Sequence, residues 1–160
     1  MITAVLLSLW ALFIIVVLIT ILWKGLGGNT FEFQNFHTTD IPYVTIDIQG
    51  NPLNMIVDTG CGMSILCTQA IADCELLYRN SNRKISLSAI TSDKVNSDVI
   101  TLDFKCGKKD ITEDFCINDT PDFGNFYAMY GIRIHGLLGS PFFDKNNCKV
   151  DYKHHSLIIP

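Results

Sequence analysis

Charge is missing where the chain begins. From Met1 to Trp23 no side chain is ionisable, and the polar residues are only Thr3, Ser8 and Thr20. A helix over residues 2–23 would be roughly 33 Å long, against a hydrocarbon core of about 30 Å. This predicts a single transmembrane helix over residues 1–24, with Trp23 and Lys24 at one interface. A cleaved signal peptide needs a basic start and a shorter apolar core, and neither is present; Gly25, Gly27 and Gly28 leave a late cleavage site open as the alternative. The only flanking charge, Lys24, favours a cytoplasmic position for the rest of the chain.

Clustered basic residues are also lacking. The net charge is -4, and the one short cluster, Lys105, Lys108 and Lys109, surrounds Gly107 in an exposed turn, so nucleic acid is not an expected partner. None of the six cysteines stands in CxxC spacing, and the four histidines complete no zinc pattern. No metal and no cofactor is implied. The even count permits disulfides in an oxidising compartment, but Cys67, Cys106, Cys116 and Cys148 sit in apolar surroundings that suit small buried residues, and no bridge is assigned.

Past the anchor, residues 25–40 read as a linker of glycines and polar residues, with Phe31 and Phe33 alternating as in an edge strand. From Ile41 the pattern is β. Tyr43–Ile48 alternates, Gln49-Gly50-Asn51-Pro52 makes a turn, and Leu53–Val57 runs into Asp58. Further strands are expected at 84–90, 97–105, 111–117, 148–152 and 156–159. A turn is expected around Asp119 and Asp122, beside Pro121. Helical spacing is expected over 64–78 and 141–147, the latter with Pro141 in its first turn. Many short strands and few helices predict an all-β, closed barrel-like domain over residues 41–160.

Ile56-Val57-Asp58-Thr59-Gly60-Cys61 places a carboxylate at the end of an apolar strand, in a turn where Gly60 allows close backbone approach. Asp-Thr-Gly is by itself a common turn composition. Well downstream stands a second element, His135-Gly136-Leu137-Leu138-Gly139, followed by Phe142-Phe143 and a closing strand. Together and in this order the two motifs resemble the retropepsin-like aspartic proteases, the family of retroviral proteases and their bacterial relatives. The resemblance spans about residues 41–160.

It implies an all-β acid-protease lobe and an aspartic endopeptidase. Two carboxylates side by side share one proton; the ionised one activates water and the protonated one donates to the scissile carbonyl. Asp-Thr-Gly occurs once here. The resemblance therefore implies a homodimer in which each copy contributes Asp58, with Thr59 bonding across the axis and Gly60 and Cys61 supporting the loop. Leu137, Leu138 and Gly139 form the family's apolar-apolar-glycine motif. A flap over a peptide substrate is expected near Ser88, Ala89, Ile90 and Thr91, although no glycine occurs between Gly62 and Gly107, whereas family flaps usually carry one at the tip. Cys61 stands where the family has Ala or Ser, and reads as a packing residue rather than a redox-sensitive thiol. The competing function is a catalytically inactive, membrane-anchored dimerisation or peptide-binding module of the same fold.

Overall fold

A computed structural model of the chain describes Trp10 and residues 12–19, 28–88, 94–119 and 121–160. The expected single-pass membrane protein is not found: among the described residues no helix is long and apolar enough to cross a membrane. Residues 12–19 are helical and exposed. The rest of the expected anchor, residues 1–9, 11 and 20–24, lies outside the described residues. The cytoplasmic placement, which depended on Lys24 flanking a membrane span, falls with it.

Among the described residues from Gly28 onward there are ten strands and four short helices. They are β1 (Asn29–Glu32), α1 (Phe36–Thr39), β2 (Tyr43–Ile48), β3 (Asn51–Val57), β4 (Ser64–Leu66), α2 (Thr68–Asp73), β5 (Arg79–Ser88), β6 (Lys94–Cys106), β7 (Lys109–Ile117), α3 (Pro121–Tyr130), β8 (Gly136–Leu138), α4 (Ser140–Lys145), β9 (Lys149–Asp151) and β10 (Ser156–Ile159). The expected linker over 25–40 is therefore structured from Asn29 onward. β1 pairs with β10, and Phe33 packs into the core.

Seven strands form one sheet in the order β2-β3-β8-β4-β7-β6-β5, and three form a second in the order β1-β10-β9. The expected closed barrel is not found among the described residues. Among the described residues no ladder joins the edge strands β2 and β5, so the large sheet stays open. The class is mostly β with few helices.

The first hairpin follows from local chemistry. Ile48 pairs with Asn51, leaving Gln49 and Gly50 as a two-residue loop with φ of +57° and +84°. Positive φ at both central positions matches the right-handed twist of the flanking strands. The Gly50 N–H donates to Asp47 Oδ1 at 2.8 Å and helps hold the turn. This fixes the register that delivers Val57 to the end of β3.

β8 decides the architecture. It inserts between β3, to which it is parallel (Met55↔Gly136, Ile56↔Leu137, Val57↔Leu138), and β4, to which it is antiparallel (Ile65↔Leu137, Leu66↔Gly136). A side chain at Gly136 would put its Cβ 2.2 Å from the Ile65 carbonyl oxygen, so only glycine admits this approach. Residues 64–66, expected to begin a helix, are instead β4. All three are buried, so the alternation that marks a half-exposed strand is absent.

Candidate active site

Asp58 follows the last residue of β3, half-buried, where β3 ends against β8. Its N–H donates to the Leu138 carbonyl at 3.1 Å, and Val57 N–H donates to Pro42 O at 2.8 Å. The chain then turns: Cys61 N–H donates back to the Asp58 carbonyl at 3.3 Å, and Gly60 N–H donates to Asp58 Oδ1 at 2.9 Å. That last bond holds one carboxylate oxygen against its own loop. Thr59 and Gly60 are exposed at the surface.

The segment after β8 clamps the loop from behind. Ser140 gives both its N–H (2.7 Å) and its hydroxyl (3.0 Å) to the Cys61 carbonyl. Gly139 lies so close that a Cβ there would sit 2.5 Å from the Met63 carbonyl group and 2.9 Å from Cys61 O. Its N–H donates to Ser64 Oγ at 3.1 Å. The two sequence motifs, Asp58-Thr59-Gly60-Cys61 and Leu137-Leu138-Gly139, are thus brought together by the parallel β3–β8 pairing and these bonds. Cys61 contributes through its backbone carbonyl; its side chain is half-buried against the core.

Other expected residues fall elsewhere. Ser88 ends β5 and pairs with Lys94 at the start of β6, so an antiparallel hairpin occupies the expected flap region. Ala89, Ile90 and Thr91 lie outside the described residues. His135 is structural. Its Nδ1 accepts the Asn54 N–H at 2.9 Å, its own N–H donates to Asn54 O at 2.9 Å, and burial followed by the Arg133 charge lowers its pKa.

One feature departs from the sequence expectation, and a second was not anticipated by it. The chain around Asp122 is the helix α3 rather than a turn. Phe123 and Phe126, three residues apart and both buried, are the helical signal; Gly124 between them weakens it. α3 walls a cavity of about 630 Å³ with Cys67, Arg133 and Ile134, before the start of β8 and so at the end away from Asp58. The second is Glu113, a buried carboxyl that accepts the Ser64 hydroxyl at 2.7 Å. The period-2 run Ile111, Glu113, Phe115 on β7 is the signal that places it on the inward face.

Among solved structures, the retroviral protease-like domain of Ddi1 from Leishmania major superposes with a TM-score of 0.50 at 17% identity, over 73% of this chain and 86% of that one. The EIAV protease complexed with the inhibitor HBY-793 aligns with a TM-score of 0.49 at 18% identity, over 74% and 99% of the two chains. A retropepsin-like aspartic protease from Rickettsia conorii aligns with 0.48 at 16%, over 83% and 90%. No protein-family model matches the sequence, and no curated protein matches it. The likeness is one of fold, and it rests on the first of these structures.

Proposed function

We propose, from the retropepsin-like fold and the placement of Asp58 within it, that the chain is an aspartic endopeptidase active as a homodimer. The observation that carries this reading is the loop geometry. Asp58 is tied through its N–H to Leu138 and through Oδ1 to Gly60, while Thr59 and Gly60 beside it stay exposed for a second copy to meet. One lobe supplies one Asp-Thr-Gly, so two-fold pairing is the route to the second carboxylate.

In the paired state two like charges in close apposition share a proton and titrate as one dyad. Water held between them loses a proton to the ionised carboxylate as it attacks the scissile carbonyl carbon. The protonated carboxyl donates to the carbonyl oxygen, and return of a proton to the nitrogen releases the amine. Thr59 is assigned to hydrogen bonds across the axis. The hairpin of β5 and β6 is assigned to close over an extended peptide, excluding water from the dyad.

The test is digestion of a peptide library between about pH 4 and 8 by the parent and by Asp58→Asn. The carboxamide keeps the shape but can neither share the proton nor act as base. Cleavage by the parent is expected, with at least a 10³-fold loss in the variant, of the order of removing the acid–base group. A demonstrably dimeric parent with no Asp58-dependent cleavage would favour an inactive peptide-binding module of the same fold.

A further inference from the structure

Glu113 stands at the middle of β7 with 4% of its surface exposed. A carboxyl in such a place costs free energy unless its polar atoms find partners. The partner is Ser64, itself fully buried, whose hydroxyl donates to Glu113 Oε1 at 2.7 Å. The same Ser64 oxygen accepts the Gly139 N–H at 3.1 Å. Gly139 N–H belongs to the Leu138–Gly139 peptide, and the carbonyl at the other end of that peptide accepts the Asp58 N–H at 3.1 Å. Three hydrogen bonds and one rigid peptide plane thus run from a buried acid to the backbone of the candidate catalytic residue.

We propose that Glu113 is a positioning residue for Asp58, acting through the Ser64 hydroxyl and the Leu138–Gly139 peptide. The proposal rests on the reading of Asp58 as catalytic. Hydrogen bonds in series polarise one another in a low-dielectric interior, so the state of the acid is felt at the far end.

The surroundings decide which state of Glu113 fits. β6 faces it with Leu102, its register partner, and β4 with the neutral Ser64. Lys145 at the end of α4 brings the nearby positive charge, and its Nζ also donates to the Thr112 carbonyl. Asp114 beside it adds negative charge, and the Cys148 thiol lies within electrostatic reach. Burial is the largest effect and raises the Glu113 pKa above the ordinary 4.5; the Ser64 bond and Lys145 oppose it. A carboxyl whose folded pKa is raised favours the fold fully below its unfolded value, and that contribution is lost as pH rises through the folded pKa. Burial thus favours the neutral acid, against the Ser64 bond and Lys145, which favour the charged form. Once ionised, it is relieved by admitting water or drawing Lys145 inward, and either movement disturbs Ser64 and the Gly139 N–H.

The experiment follows the Gly139 amide resonance against pH in the ¹⁵N-glycine-labelled full chain carrying Asp58→Asn, which removes the titration of Asp58 itself. The expected result is a titration with a midpoint above 4.5 that vanishes in Asp58→Asn/Glu113→Gln. In the otherwise unchanged chain, Glu113→Gln keeps an acceptor for Ser64. It should hold kcat at acidic pH and sustain it to higher pH than the parent. Glu113→Leu should lower kcat about 10-fold with KM little changed, as a misplaced catalytic group does. A Gly139 resonance that does not titrate, or titrates alike with Gln at position 113, overturns the proposal. Because this arm uses a chain lacking the Asp58 carboxylate, it is read independently of cleavage. A titrating Gly139 in a chain whose parent cleaves nothing would sink the protease reading and leave the Glu113–Gly139 coupling standing.

Discussion

Gly139 has backbone on two sides: a Cβ would meet the Met63 carbonyl group at 2.5 Å and Cys61 O at 2.9 Å. Unlike the tip of a flexible side chain, these atoms cannot swing away. Gly139→Ala is therefore expected to push the β8–α4 junction off the Asp58 loop, destabilising the fold by about 1–3 kcal/mol, the usual range for overpacking. Urea unfolding of the variant against the parent measures the loss, and cleavage should fall with it. An Ala variant as stable as the parent would mean that the loop and the junction are not held as tightly as their hydrogen bonds imply. The carboxylate itself is less confined: one oxygen takes the Gly60 N–H, and the residues beside it remain open to a second chain.

At the scale of elements, the site depends on a six-residue helix that touches no reacting atom. α4 begins at Ser140, whose N–H and hydroxyl clamp Cys61, and continues through Phe142, with no exposed surface, and Phe143. The two rings pack edge to face with centroids 5.7 Å apart. So short a helix has little stability of its own, and its buried face holds it in place. Phe142→Ala is expected to cost about 3–5 kcal/mol, the range for emptying an aromatic site in a core. It should also raise hydrogen exchange at Ser140, whose N–H would no longer be pressed onto Cys61. β4 and β8 show why elements this short are hard to read. Each has three buried residues and neighbours on both sides, so neither carries the alternation that identifies a half-exposed strand. Ser64-Ile65-Leu66 runs on into the helical spacing of α2, and the whole stretch looks like one helix.

At the scale of the whole molecule, the proposed homodimer makes a prediction about mixing. If each dimer needs two Asp58 carboxylates, a dimer of one parent chain and one Asp58→Asn chain is inactive. Equal amounts exchanged to equilibrium leave about a quarter of the dimers fully parental, against half when the two are kept apart. Activity per parent chain should therefore fall to about half on mixing, which a progress-curve assay reads directly. Activity unaffected by the inactive partner would show that one chain suffices. The proposed dimer also has a geometric condition to meet. β10 is central in its three-stranded sheet, with β1 on one side and β9 on the other, so among the described residues that sheet offers a second chain an edge at β1 or β9 and not at β10.

Much of this was legible along the chain. Alternation from Tyr43 to Ile48, a turn beginning at Gln49-Gly50, the apolar approach to Asp58 and the glycine-bracketed Leu137-Leu138 all depend on residues within a few positions of each other, and local sterics and solvation act at that range. That the turn is only two residues long, with Asn51 and Pro52 already in β3, is set by the pairing with β2. The long apolar start was legible too, and it implied a membrane span. Among the described residues no helix is long and apolar enough to cross a membrane, so that span is not supported.

Tertiary structure decided what sequence neighbours cannot: that β8 slips between β3 and β4, that the large sheet stays open, and that Glu113 lies behind Ser64. Parallel pairing joins Val57 to Leu138 across a long loop, and its free energy comes from burial and hydrogen bonds that exist only once the loop has closed. Local pattern supplies the carboxylate, and only long-range packing makes the wall behind it.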